Sequence, residues 1–67
     1  MNVYGLLISL YDGTSETKEK LERKFGVDTV KECISKNYIK EDGINHLNIK
    51  LYRITTIGKT AYDNKLY

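Results

Sequence analysis

The sequence contains no proline, no tryptophan, and only one cysteine and one histidine among its 67 residues. Because Cys33 has no second cysteine to pair with, no disulfide can form within the chain. No metal-ligand spacing surrounds His46, so we expect neither a metal site nor a cofactor. A chain this short buries only about 60% of its unfolded surface, so its stability must come from hydrophobic packing or from association.

The residue patterns of known catalytic sites are missing as well. Covalent catalysis needs a nucleophile beside a base, and Cys33 and His46 lie on segments with different predicted roles, a core helix and a hairpin. No glycine-rich loop of the phosphate-binding type is present. We therefore expect that the protein is not an enzyme.

Long apolar runs are also absent. No stretch approaches the about 20 apolar residues that cross a bilayer, and the first residues lack the basic flank and cleavage pattern of a signal peptide. The single cysteine suits a reducing compartment. We expect a soluble, cytoplasmic protein with one domain over residues 1–67.

Charge is nearly balanced, with 11 Lys and Arg residues against 9 Asp and Glu residues. Residues 1–26 carry four of each sign, whereas residues 27–67 carry seven basic and five acidic side chains. This excess weakly favours an anionic partner. It is too sparse to predict nucleic-acid binding by itself.

The first predicted helix lies in the segment NVYGLLISLYDG and ends where Gly13 can adopt a left-handed conformation. One face of this helix carries the apolar side chains of Val3, Leu6, Leu7 and Leu10. The other face is also apolar, and a monomer cannot bury both faces. Tyrosine is favoured at interfaces, so we predict a homodimer formed through the first and last helices. The predicted dimer interface comprises Tyr4, Ile8, Tyr11, Tyr62, Leu66 and Tyr67.

Two further helices are predicted close together. In TSETKEKLERKFG, Thr14 or Ser15 can cap the helix and Gly26 can end it. In VDTVKECISKNYI, Thr29 and Glu32 have the spacing of a capping box. The apolar stripe of this third helix comprises Val30, Cys33 and Ile34. The turn FGVD is so short that the two helices must cross steeply, as in a helix-turn-helix.

The segment NYIKEDGINHLNIKLYRIT alternates apolar and polar residues around turn-forming residues, which predicts a β-hairpin. Two registers are open. A tight turn at Asp42-Gly43 is the strong local signal, whereas a longer hairpin with its tip at residues 44–48 pairs Ile39 with Ile54. We favour the longer hairpin, because it directs the second strand back onto the helices.

This α+β order of helix, helix-turn-helix, hairpin and terminal helix resembles the winged-helix family, in particular small bacterial and phage members of the MarR and PadR types. The resemblance is carried by KFGVDTVKECISKNYIKEDG and YRITTIGKTAY. In the second segment, Ile54, Thr55 and Gly58 occupy the positions of the family pattern tyrosine-x-leucine-threonine-x-x-glycine. Thr55 or Thr56 would cap the terminal helix. The implied fold is a three-helix helix-turn-helix core, a β-hairpin wing and a short C-terminal helix.

The resemblance implies binding to double-stranded DNA, by a small transcriptional regulator or a phage or mobile-element accessory factor. The helix over residues 28–37 would enter the major groove, and the wing over residues 40–50 would contact the neighbouring backbone. The implied DNA-binding residues are Lys18, Thr29, Lys31, Ser35, Lys36, Asn37, Asn45, His46, Asn48 and Lys50. Glu32 on the same helix opposes DNA binding unless it accepts a hydrogen bond from a cytosine amino group, and this helix carries no arginine.

The same polar residues would suit any solvated helix face, so a second interpretation stays open. In it the protein is a winged-helix adaptor that binds another protein and no DNA. The near-neutral charge and the acidic residues Glu32, Glu41 and Asp42 are consistent with that role. A continuous positive face across the third helix and the wing would favour DNA, whereas an exposed apolar patch would favour a protein partner.

Overall fold

The computed structural model describes residues 1–67, which form four helices and one three-stranded antiparallel sheet. The predicted α+β class is therefore confirmed. None of the four helices combines the length and the apolar character needed to cross a bilayer. In chain order the elements are α1 (Val3–Leu10), β1 (Glu16–Thr17), α2 (Lys18–Phe25), α3 (Val27–Ser35), β2 (Ile39–Ile44), β3 (Lys50–Ile54) and α4 (Thr56–Asp63).

The start of α2 differs from the sequence prediction. Thr17 is the N-cap, and its hydroxyl oxygen accepts a hydrogen bond from the Lys20 N–H at 3.3 Å. A cap at Thr14 or Ser15 was wrong, because the chain continues as the short strand β1 before the helix begins. In β1, Glu16 lies opposite Tyr52 of β3, so the helix start is attached to the sheet.

Gly26 alone separates α2 from α3. Its φ of +94° lies in the region that favours glycine, and its N–H donates to the Glu22 carbonyl oxygen at 2.8 Å. No side chain caps α3, which begins at Val27. The predicted capping box at Thr29 was wrong, because Thr29 already lies inside the helix.

The core forms where the four helices and the base of the hairpin meet. It comprises Leu6, Leu7, Leu10, Leu21, Val30, Cys33, Tyr38, Ile39, Ile54 and Ala61, while Val3, Phe25 and Ile34 are half-buried at its edge. Cys33 is fully buried, as predicted for a core residue. Burial and the neighbouring Glu32 charge raise the pKa of the Cys33 thiol to about 11. The thiol therefore stays protonated near neutral pH and is a poor nucleophile.

The hairpin has the longer of the two predicted registers. Ile39 pairs with Ile54, and the turn lies between the end of β2 and the start of β3. An irregularity between Glu41 and Ile44 interrupts the pairing and bends β2. The strand order in the sheet is β1-β3-β2, so β3 is the central strand.

The prediction that a threonine caps α4 is confirmed for Thr55, whose hydroxyl oxygen accepts from the Gly58 N–H at 2.9 Å. The Thr55 N–H donates to the Tyr38 carbonyl oxygen at 2.9 Å. The Thr55 hydroxyl also donates to the Asn37 carbonyl oxygen. Thr55 therefore joins the end of α3 to the start of α4, at the base of the hairpin.

Candidate nucleic-acid interface

A groove between α2 and α3 brings together three of the residues predicted to bind DNA. Lys18 begins α2, while Lys31 and Ser35 lie one turn apart on α3. All three are exposed, and neither lysine has an ion-pair partner. The complete lining of the groove is Lys18, Glu22, Val27, Lys31, Ile34 and Ser35. Two unpaired lysines against one glutamate make this groove attractive to an anion.

Thr29 is not available to a partner. It is buried, and its hydroxyl oxygen accepts a hydrogen bond from the Asn2 N–H at 2.9 Å. Its prediction as a DNA-binding residue was wrong, because α3 begins at Val27 and its third residue faces the N-terminal segment instead of solvent. Thr29 fixes that segment against α3.

Lys36 lies apart from Lys31, although both were predicted in one interface. Lys36 Nζ is 2.8 Å from Glu32 Oε2, and this hydrogen-bonded carboxylate raises the pKa of Lys36. Lys36 shares a shallow pocket with Met1, Tyr4 and other N-terminal residues, none of which lines the α2–α3 groove. Its charge is therefore largely compensated and displaced from the groove.

Asn37 is exposed but shapes the end of α3. Its φ is +61°, the left-handed conformation that asparagine tolerates better than most residues. The Asn37 N–H donates to the Ile34 carbonyl oxygen at 3.0 Å, and the Tyr38 N–H donates to the Cys33 carbonyl oxygen at 2.8 Å. These two bonds satisfy carbonyl groups that the helix end would otherwise leave free.

The hairpin tip is held by Asn45. Its side-chain oxygen accepts from the Leu47 N–H at 2.9 Å and from the Ile49 N–H at 3.0 Å. Asn48 has a φ of +67° and closes the turn by donating its N–H to the Asn45 carbonyl oxygen. The side chains of His46 and Asn48 are exposed at this fixed tip.

Most of the positive charge on the hairpin is compensated. Lys50 Nζ lies 3.6 Å from Glu41 Oε1, and Arg53 Nη1 lies 3.4 Å from Asp42 Oδ2. Lys40, directly across from Arg53, has no acidic partner. Sequence reasoning missed Lys40. Successive residues of a strand point to opposite faces, so a buried Ile39 indicates that the Lys40 side chain points outward. On α2, α3 and the hairpin, the lysines without an ion-pair partner are Lys18, Lys24, Lys31 and Lys40, of which only Lys18 and Lys31 line the groove.

Sequence reasoning also missed an apolar surface on the hairpin. Ile44, Leu47 and Ile49 are between 47% and 66% exposed. Aliphatic side chains of this size are usually buried, but the irregularity in β2 ends the regular alternation before the tip. Only Ile39 of β2 is buried. The hairpin therefore presents aliphatic side chains to solvent.

The residues predicted at a dimer interface are mostly brought together. Four tyrosines, Tyr4, Tyr11, Tyr62 and Tyr67, form one aromatic cluster across α1 and α4. Ile8 lies one turn beyond Tyr4 on α1 and is exposed. Leu66 instead lines a separate groove with Tyr38 and Ile57.

No family model, curated protein or solved structure matches this chain. No three His, Cys, Asp or Glu side chains lie close enough together to hold a metal ion. The function is therefore inferred from the chain's own geometry.

Proposed function

We propose that this protein is a winged-helix domain that binds double-stranded DNA. The observation that carries the proposal is the order of elements, in which α1, β1, α2 and α3 precede a hairpin and the sheet order is β1-β3-β2. In a helix-turn-helix the second helix of the pair enters the major groove. Here that helix is α3, joined to α2 through Gly26 and exposed along the groove.

The groove residues have chemistry suited to this task. Lys31 and Ser35 on α3 can contact base edges or phosphates, and Lys18 at the start of α2 can contact a neighbouring phosphate. From the hairpin, Lys40, His46 and Asn48 would reach the adjacent backbone. In this proposal Lys36 is excluded from the main contact, because it pairs with Glu32 outside the groove. A small transcriptional regulator or a mobile-element accessory factor would use DNA binding of this kind.

The first prediction concerns the two groove lysines. The double variant Lys18→Gln, Lys31→Gln should bind random duplex DNA more weakly and with a shallower dependence on salt. Removing one lysine–phosphate contact should reduce the slope of log K against log salt by about one unit, so the expected reduction for the double variant is about two. Fluorescence anisotropy titrations between low and moderate salt measure this slope.

A control variant removes the same charge elsewhere. Lys24 near the end of α2 and Lys65 just after α4 have no ion-pair partner, and neither lines the groove. Lys24→Gln, Lys65→Gln should leave the slope near that of the wild type. Equal reductions in both double variants would show that only net charge matters, and absent binding by the wild type at low salt would refute DNA binding.

A second candidate function is a protein-binding adaptor built on the same fold. It is favoured by the exposed aliphatic residues Ile44, Leu47 and Ile49 on the hairpin, since apolar surface patches mark protein contacts. The two functions separate in the salt experiment. A wild type that stays unbound to duplex DNA at low salt leaves the adaptor as the better explanation.

A further inference from the structure

The outer face of α1 is uncharged although water reaches it. No residue from Val3 to Leu10 carries a charge. The inner side of this helix is in the core, where Leu6, Leu7 and Leu10 are buried. On the outer side Tyr4 is 49% exposed and Ile8 is 47% exposed. A surface helix normally carries charged or polar residues on its outer face, so this face is typical of a contact surface.

The tyrosine cluster extends this face onto α4 and the chain end. The Tyr62 ring lies 5.6 Å from Tyr4 and 5.2 Å from Tyr11, centroid to centroid, and Tyr67 lies 5.9 Å from Tyr4. The Tyr11 hydroxyl donates to Asp63 Oδ1 at 2.8 Å. These mutual contacts hold the rings in place before any partner arrives, which lowers the entropy lost on binding.

The charge at the edge of this surface distinguishes among possible partners. Lys59 Nζ lies 5.9 Å from the centroid of the Tyr11 ring, and Asp63 accepts the Tyr11 hydroxyl. Glu32 and Lys36, which pair with each other, line the pocket beside Tyr4 and Tyr67. The side-chain charges that flank the rings therefore balance, and this surface is not specifically suited to an anionic polymer or a strongly charged protein. A second copy of the same surface meets no repulsion and can place opposite charges together.

The tyrosine cluster and the α2–α3 groove share no residue. Association through the tyrosines would therefore leave the groove accessible.

We propose that the surface of Tyr4, Ile8, Tyr11, Tyr62 and Tyr67, here called the tyrosine surface, binds a second copy of this chain. The arrangement is twofold, so each tyrosine surface contacts the other and the assembly closes as a dimer. The aromatic rings supply apolar area, and their hydroxyl groups lie at the solvent-accessible rim of the interface.

Sedimentation equilibrium tests this proposal without DNA. The wild type should be dimeric at high micromolar concentration, and Ile8→Lys should weaken dimerisation at least about tenfold, because each subunit would place an unpaired charge in the apolar contact. Ile57→Lys is the matched control, since Ile57 is a similarly exposed helical isoleucine outside the tyrosine surface. It should dimerise like the wild type.

Tyr4→Lys provides a second variant within the tyrosine surface, and circular dichroism melting shows which variants are folded. Folded lysine variants at Ile8 or Tyr4 that still dimerise would overturn the proposal. A monomeric wild type would also overturn the proposal. So would a result in which Ile57→Lys is monomeric while the variants at Ile8 and Tyr4 remain dimeric.

Discussion

At the scale of single residues, Gly58 is the glycine with the least room for a side chain. It lies in the first turn of α4, where that helix meets the end of α3. A Cβ atom at this position would overlap the Tyr38 carbonyl oxygen and the Ile54 side chain. Because the neighbouring atom is part of the backbone, it cannot simply rotate away. Glycine is required here for space.

Gly58→Ala should therefore destabilise the protein. Replacing glycine by alanine inside a helix normally stabilises it by about 1 kcal/mol, but overpacking at this contact should reverse the sign and cost about 1 to 3 kcal/mol. Urea unfolding followed by circular dichroism measures the difference. Thr60→Ala, at an exposed position of the same helix, is the control and should be near neutral. A higher unfolding midpoint for the Gly58 variant would contradict the packing argument.

Sequence reasoning reached Gly58 only as one position of a family pattern. Its physical reason, the close approach of Tyr38, depends on a contact between residues twenty positions apart and could not be predicted from local signals. At Thr29 a local signal gave a wrong prediction for the same reason. Its spacing to Glu32 matched a capping box, but the contact with Asn2 that buries it is tertiary.

At the scale of secondary structure elements, the start of α2 depends on one side chain. Thr17 ends β1 and caps α2 through its hydroxyl oxygen. Thr17→Ala should cost about 1 kcal/mol of unfolding free energy, because the Lys20 N–H loses its acceptor. Ser15→Ala should have almost no effect, since no hydrogen bond of the Ser15 side chain is present. Chemical denaturation compares the two, and a larger loss for Ser15 would place the cap where sequence reasoning expected it.

The predictable elements were those with a clear period or turn signal. The apolar spacing of α1 indicated its buried leucines, and pairing Ile39 with Ile54 indicated the correct hairpin register. In contrast, β1 is two residues long and has no period of its own, since only its pairing with β3 defines it. The separation of Lys31 from Lys36 was missed because both were predicted to be exposed, without a prediction of the side of α3 on which each one lies.

At the scale of the whole molecule, the DNA-binding and dimer proposals together predict the form of the target site. A twofold dimer presents two copies of α3, and such pairs read half-sites about 34 Å apart, which is one turn of duplex. Selection from a random duplex library should therefore enrich inverted repeats with about 10 base pairs between half-site centres.

The variant Ile8→Lys, if monomeric as expected, should enrich single half-sites from the same library. Ile57→Lys should enrich the repeats found with the wild type. If a monomeric Ile8→Lys variant selected inverted repeats as well as the wild type does, the preference for repeats would not depend on the dimer. That result would contradict the combined prediction.

The contacts that close the base of the hairpin have a consequence for evolution and engineering. Tyr38 and Thr55 bond there, and Ile39 pairs with Ile54 at the core, whereas no residue of β2 beyond Ile39 is buried. The helices are thus insulated from changes in the turn and in β2 beyond Ile39, whereas Leu51 and Tyr52 of β3 still pair with β1. Doubling the length of a flexible connection costs only about 0.6 kcal/mol in closure entropy. The tip of the hairpin is therefore an exchangeable module, whose length and sequence can diverge while the helical scaffold is inherited intact.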